Sequence, residues 1–258
     1  IGRDPFAIDA IFEDMRRKHV FDGGTGGALI TALTGIEIAL WDLKGKALNV
    51  PIYELLGGKF RDKIRVYADC QVAPGMNFDE IKKVVDDVVE KGFTALKIDV
   101  DIDAYGYKGS EVADFQKDAF NYTAIQWEHE RMVQLVDMVT TAAGKDVAVA
   151  ADVHTRLDVP SAIRLVQDLS PYHLMWLEEP VPAENVKAMR EVKQHSKNPI
   201  CAGENLYLRH GFRDLLEQQA VDIIMPDIPK CGGLSECRKI ANMAELYYIP
   251  FAPHNVSS

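Results

Sequence analysis

Three carboxylates, Asp152, Glu178 and Glu204, stand at equal intervals of 26 residues, each at the end of a short, largely apolar run. Carboxylates at the ends of neighbouring strands repel one another unless a cation lies between them. An oxygen-only donor set, without Cys or paired His, favours Mg²⁺, or Mn²⁺ in its place, over Zn²⁺. A single acid at a strand end is ordinarily a helix cap or a salt-bridge partner. Three at one repeating distance point to a metal site.

Two further strand ends carry Asp227, in Met225-Pro226-Asp227, and His254, in Ala252-Pro253-His254. A carboxylate beside an imidazole orients it and raises its basicity, which makes His254 with Asp227 a candidate general-base dyad. Lys97 and Asp99 alternate on one strand and so share a face. On that face Lys97 can stabilise an enolate or act as a base, or it can simply neutralise Asp99 or another acid. His154 follows Asp152 by two and is a candidate general acid for a leaving hydroxyl, with a capping role as its structural alternative. Arg156 and Asp99 are candidate substrate contacts, although an Arg there is as readily a solvent-exposed side chain.

These residues need elements to hold them in register. From residue 64 onward β-branched runs alternate with amphipathic stretches, the pattern of successive βα units. Seven strands are expected: Ile64 to Cys70, Ala95 to Val100, Val147 to Val153, Leu174 to Glu179, Ile200 to Asn205, Asp222 to Asp227 and Ile249 to His254. Helices are expected over Asp79 to Lys91, Ile125 to Ala143, Val159 to Leu169, Glu184 to His195, Phe212 to Gln219 and Leu234 to Tyr247. Seven parallel strands nearly close a TIM-type (β/α) barrel, whose last unit would follow Ser258. Asp101 to Asn121 is long for a βα loop and is either a cover for the substrate or a surface insertion. Ahead of the barrel, Leu29, Leu33, Ile36, Leu40, Leu43 and Ala47 mark a core-facing helix over Ala28 to Leu48. Gly23 to Gly27 lacks the Lys-Ser/Thr ending of a phosphate loop.

The chain has 258 residues, 47% of them hydrophobic and 26% charged, with no apolar run of bilayer length. A net charge of −10 argues against a nucleic-acid surface, because phosphate affinity comes from clustered Lys and Arg. Cys70, Cys201, Cys231 and Cys237 show no paired spacing, so a reducing cytoplasm is the expected setting. The sequence starts at Ile1 and stops just past a strand end, which suggests that both termini are truncated.

The segments Ile36 to Lys46, Trp176-Leu177-Glu178-Glu179-Pro180, Ala202-Gly203-Glu204-Asn205 and Met225-Pro226-Asp227 resemble the enolase superfamily, specifically its mandelate racemase/muconate lactonizing enzyme-like branch. The resemblance runs from about residue 28 to the end. It implies that Glu178 rather than Glu179 is the ligand, and that residues 1–60 are the remnant of an N-terminal α+β capping domain ahead of a 61–258 barrel. Homo-oligomers are common among such enzymes. Racemases of the branch carry Lys-x-Lys on the second strand, and here the second position is Asp99. Asp152-Val153-His154 instead looks like the acid-sugar dehydratases. That implies a small carboxylate substrate, an aldonate-like sugar acid, which loses its α proton to His254 and its β-hydroxyl with a proton from His154. A racemase, epimerase or cycloisomerase using the same enediolate is the alternative, and a noncatalytic sugar-acid-binding protein is the alternative of another class.

Overall fold

The computed structural model describes residues 2–72, 75–101 and 122–255. In chain order its elements are α1 (Ile8–Lys18), α2 (Gly27–Leu48), α3 (Ile52–Leu55), β1 (Ala68–Cys70), α4 (Phe78–Glu90), β2 (Ala95–Asp99), α5 (Gln126–Ala143), β3 (Ala148–Asp152), α6 (Val159–Asp168), β4 (Trp176–Glu178), α7 (Val186–His195), β5 (Ile200–Ala202), α8 (Leu208–Glu217), β6 (Ile223–Ile224) and α9 (Gly233–Leu246). Hydrogen-bonded neighbours follow chain order from β1 to β6, all parallel where paired, which is the connectivity of a TIM-type barrel. Of the loop expected over Asp101 to Asn121, only Asp101 is among the described residues. No described helix is long and apolar enough to cross a membrane.

Contacts group the chain into two compact units, Arg65–Cys201 and Ile1–Ile64 with Ala202–Ser258, divided inside β5. In the first, β2 and β3 are buried on both faces, β2 through Ala95 on one and Leu96 and Ile98 on the other, β3 through Ala150 and Ala151, as parallel strands covered by helices must be. The helices answer with apolar stripes, Ile81, Val85 and Val88 on α4 and Met132, Leu135, Val136 and Val139 on α5. Each fully buried Ile or Leu in such a stripe contributes about 1.5–3 kcal/mol. Local signals fix where the helices start. Asn77 and Glu80 form a capping box at α4, and Asp158 accepts from the Ser161 N–H at α6, where Pro160 occupies a position that needs no donor. The first strand is shorter than expected. It begins at Ala68, while Ile64 and Val66 are exposed and the Arg65 guanidinium, instead of a ladder, reaches the Thr94 carbonyl at 2.6 Å.

In the second unit, Phe12, Ile30, Leu33 and Leu208 pack together from α1, α2 and α8. The expected stripe on α2 is rotated. Ile36 and Leu43 are exposed, and the buried face runs through Ile30, Leu33, Thr34, Glu37 and Gly45. A polar residue inside the stripe, Glu37, explains the rotation: it accepts from the Leu234 and Ser235 N–H groups, both at 2.9 Å, and from Trp41 Nε1 at 2.7 Å. Its carboxylate thus caps the N-terminus of α9. A Cβ on Gly233 would lie 2.0 Å from Glu37 Oε2, so only glycine fits at that first turn. α8 begins at Leu208 rather than Phe212, because Leu208 itself opens the apolar spacing continued by Phe212, Leu215 and Leu216. The strand expected over Ile249 to His254 is reduced to two isolated bridges, Phe251 to Ile224 and His254 to Asp227. Pro250 and Pro253 have no N–H to donate, which breaks the ladder on either side.

Candidate active site and metal centre

Asp152 and Glu178 end β3 and β4 as Cα partners, and Asp99 ends β2 as the partner of Asp152. Asp152 and Glu178 are both fully buried. Lys97 Nζ donates to Asp152 Oδ2 at 2.6 Å and to Glu178 Oε1 at 3.2 Å. In this geometry Lys97 neutralises these two acids; the Asp99 side chain is half-exposed. Burial alone would lower the Lys97 ammonium; the Glu178 and Asp152 charges more than reverse this and hold it up, so it stays a cation. Trp176 Nε1 supplies a further donor to Glu178, at 3.0 Å to Oε2, and Tyr67 stacks edge-on against Trp176 with ring centroids 5.5 Å apart.

His154 sits beyond the end of β3, where strand alternation no longer sets direction. Its φ of 46° and the 61° of Thr155 put two successive non-glycine residues in the left-handed region. The turn is held by His154 N–H on Asp152 Oδ1 at 3.0 Å and by Thr155 N–H on the Glu179 carbonyl at 2.7 Å. As a result Nε2 lies 3.6 Å from Asp152 Oδ2 and 3.9 Å from Asp99 Oδ1. Nδ1 meets Asp101 Oδ1 at 3.0 Å. The bond to Asp101, against the opposing effect of burial and with help from Asp152, raises the imidazole to about 10. Arg156 Nη2 lies 3.3 Å from Oε1 of the buried Glu128 at the start of α5.

In the other unit, His254 Nδ1 lies 2.7 Å from Asp227 Oδ2, and Nε2 lies 3.0 Å from Glu204 Oε2. The ring is held from both sides. Glu204 first, then Asp227, raise the imidazole against the effect of its partial burial. The backbone before Glu204 turns at Gly203, φ 132°, where a Cβ would lie 2.7 Å from the Phe212 ring and 3.2 Å from the Met225 nitrogen.

The donor chemistry fits a hard divalent cation. Asp152 and Glu178 bring two negative charges into a buried space that holds one ammonium. Burial, then the Asp152 charge, push Glu178 upward even with Lys97 opposing. Two buried carboxylates facing one ammonium leave an excess of negative charge that a bound cation would offset. Glu178 is the Cα partner of Cys201, and Glu204 follows Cys201 by three residues along the chain. A second group, Asp99, Asp152 and His154, also has its ligand atoms within 4.8 Å of one another.

Three contributors could not be singled out from the sequence: Asp101, Trp176 and Tyr67. Asp101 carries the one signal that was available, since it follows Asp99 by two as His154 follows its strand partner Asp152 by two.

The Enolase C-terminal domain-like family profile matches residues 80–258, and that of the mandelate racemase / muconate lactonizing enzyme N-terminal domain matches residues 1–57. A D-xylonate dehydratase from Haloferax volcanii is 42% identical over 100% of this chain and 61% of its own length. A D-galactonate dehydratase from Pectobacterium atrosepticum is 35% identical over 98% of this chain and 61% of its own. The crystal structure of a mandelate racemase/muconate lactonizing enzyme-like protein from Rubrobacter xylanophilus superposes with a TM-score of 0.90 at 46% identity, covering 100% of this chain and 67% of that one. The chain therefore spans about three-fifths of the length of the two dehydratases.

Proposed function

The chain belongs to the Enolase C-terminal domain-like family in its mandelate racemase / muconate lactonizing enzyme branch, and on that basis we propose that it is the greater part of a Mg²⁺-dependent sugar-acid dehydratase. The observation that carries the proposal is the buried pair Asp152 and Glu178 at adjacent strand ends, with one ammonium between two acids. Asp152, Glu178 and Glu204 are the proposed metal ligands. The resemblance to dehydratases acting on five- and six-carbon sugar acids supports an aldonate-like substrate.

When bound, Mg²⁺ (or Mn²⁺) supplies Lewis-acid stabilisation of the charge that builds on the substrate carboxylate. His254, oriented through Nδ1 by Asp227, takes the α proton. Lys97, kept charged by its two acids, adds positive potential as the enediolate forms. His154 gives its proton to the β-hydroxyl as the C–O bond breaks and water leaves. The resulting enol takes a proton from solvent and becomes a 2-keto-3-deoxy acid. Arg156, bonded to Glu128, is less suited to substrate contact than Asp99, whose carboxylate is half-exposed. Residues 1–60 read as capping-domain remnant and 61–258 as barrel. Four free, buried thiols fit a cytoplasmic setting, and a homo-oligomer is the family's expectation.

The test is a screen of acid sugars with the full-length protein and Mg²⁺, detecting 2-keto acids. Product from at least one aldonate, lost on chelation, supports the reading. Turnover of some other carboxylate with His154→Asn fully active would sink it.

A further inference from the structure

We infer that Asp101 is a positioning residue that fixes the His154 ring, as Asp227 holds the ring of His254. The inference rests on the dehydratase reading above for what His154 does, and on geometry for how Asp101 acts.

β2 and β3 pair through Asp99 and Asp152, and the pairing continues past the strand ends, where the Val100 N–H donates to the Asp152 carbonyl at 2.9 Å. Two residues further along each strand come Asp101 and His154, joined by the 3.0 Å contact between Oδ1 and Nδ1. Asp101 is the less exposed of the two side chains, at 20% against 43%. With Nδ1 engaged, Nε2 is the ring nitrogen left to exchange a proton, and it lies on the side of Asp152 and Asp99. The backbone is fixed separately. The left-handed pair His154 and Thr155 is pinned to the end of β4 through Glu179, and Leu157 N–H donates to the Pro180 carbonyl at 3.2 Å. Backbone pinning leaves the imidazole free to rotate about its side-chain bonds, and the Asp101 contact removes that freedom. The arrangement repeats the His254–Asp227 pair, in which an aspartate on the preceding strand holds Nδ1 at 2.7 Å. A base and an acid acting on one substrate both need a fixed ring, because general acid–base catalysis depends on the proton being within hydrogen-bond reach of the reacting atom.

The experiment compares two reactions of the same Mg²⁺-loaded, full-length protein on a sugar acid it dehydrates: exchange of the α proton with D₂O, which needs His254, and keto-acid formation, which also needs His154. Asp101→Ala is expected to cut elimination by about 10²-fold, the lower end of the range for general acid catalysis, while exchange stays near wild type. Asp101→Asn, which keeps an acceptor in place, is expected to recover at least about tenfold of that loss. Asp101→Ala combined with His154→Asn should be no slower than His154→Asn alone, since the two act as one unit. Equal loss of exchange and elimination, no loss of either, or additive effects in the double variant would overturn the assignment. Crystals of metal-free Asp101→Ala give a readout independent of turnover: several His154 rotamers are expected, and a single unchanged rotamer would count against Asp101. A wild-type protein that neither exchanges nor dehydrates any sugar acid would refute the functional reading, while the rotamer result would still decide whether Asp101 holds the ring.

Discussion

Lys97 Nζ lies 2.6 Å from Asp152 Oδ2 and reaches across to Glu178, so one buried ammonium serves two buried carboxylates. Its removal leaves both acids uncompensated. Lys97→Met is therefore expected to destabilise the metal-free protein by about 3–5 kcal/mol, the scale for breaking a buried ion pair. Saturating Mg²⁺ should restore much of the loss, measured as denaturant midpoints with and without the ion. Equal midpoints for wild type and variant without Mg²⁺ would remove Lys97 from this role.

Trp176 reaches Glu178 through its indole N–H, on the oxygen that Lys97 does not bond. Trp176→Phe deletes that bond and also leaves a small void in the core, so some loss of stability accompanies it. Partners that orient a metal ligand typically contribute 10–100-fold in affinity, so Mg²⁺ binding should weaken by about that factor in calorimetry at a temperature where the variant is folded. Unchanged affinity would show that Glu178 holds its orientation without the indole.

Glu37 is buried and accepts from three donors, two of them at the N-terminus of α9. Glu37→Ala should cost about 2–4 kcal/mol, because the donors are left buried without a partner. Glu37→Gln, which keeps one acceptor, should cost clearly less. Urea unfolding of both variants measures this, and equal midpoints for the two would argue that side-chain volume, not the acceptor, matters there.

Asp158 caps α6 and also accepts from Thr123 Oγ1 at 2.6 Å. Partial burial pushes its carboxyl up, but the bonds from Ser161 and Thr123 prevail and hold it below the ordinary value of 3.8. A depressed folded pKa gives stability that is present above the unfolded value and lost as pH falls through the folded one. Asp158→Asn preserves the cap and removes the titration. The wild type's advantage over this variant should be full above about pH 5 and vanish at lower pH as the carboxyl protonates. An advantage that does not change between pH 6 and pH 3 would contradict the account.

Much of this was legible in the sequence because it depends on repetition. The βα alternation gave the parallel strand order, and equal spacing singled out Asp152, Glu178 and Glu204. What escaped depends on single contacts between distant residues. Glu37 sits inside an apolar stripe, and nothing local says that its carboxylate meets the first turn of a helix nearly two hundred residues later. Pro250 and Pro253 were visible, yet the apolar run around them outweighed the donors they lack. Lys97 could neutralise Asp99 or another acid as far as its strand position shows, and only the neighbouring strands supply Asp152 and Glu178 as the acids it meets. Arg156 was read by its distance from Asp152, but the left-handed turn at His154 and Thr155 ends the strand's alternation and sends it to Glu128.

On the proposed reading, Asp152, Glu178 and Glu204 hold the metal on which dehydration depends. Calorimetric titration of Mg²⁺ into the full-length protein and its single variants tests it most directly. One site per chain is expected, abolished or weakened by at least about 10²-fold in Asp152→Asn, Glu178→Gln and Glu204→Gln, and nearly unchanged in Asp99→Asn and His154→Asn. Binding that survives Glu204→Gln but is lost with Asp99→Asn or His154→Asn would move the ion to the Asp99, Asp152 and His154 group and contradict the account.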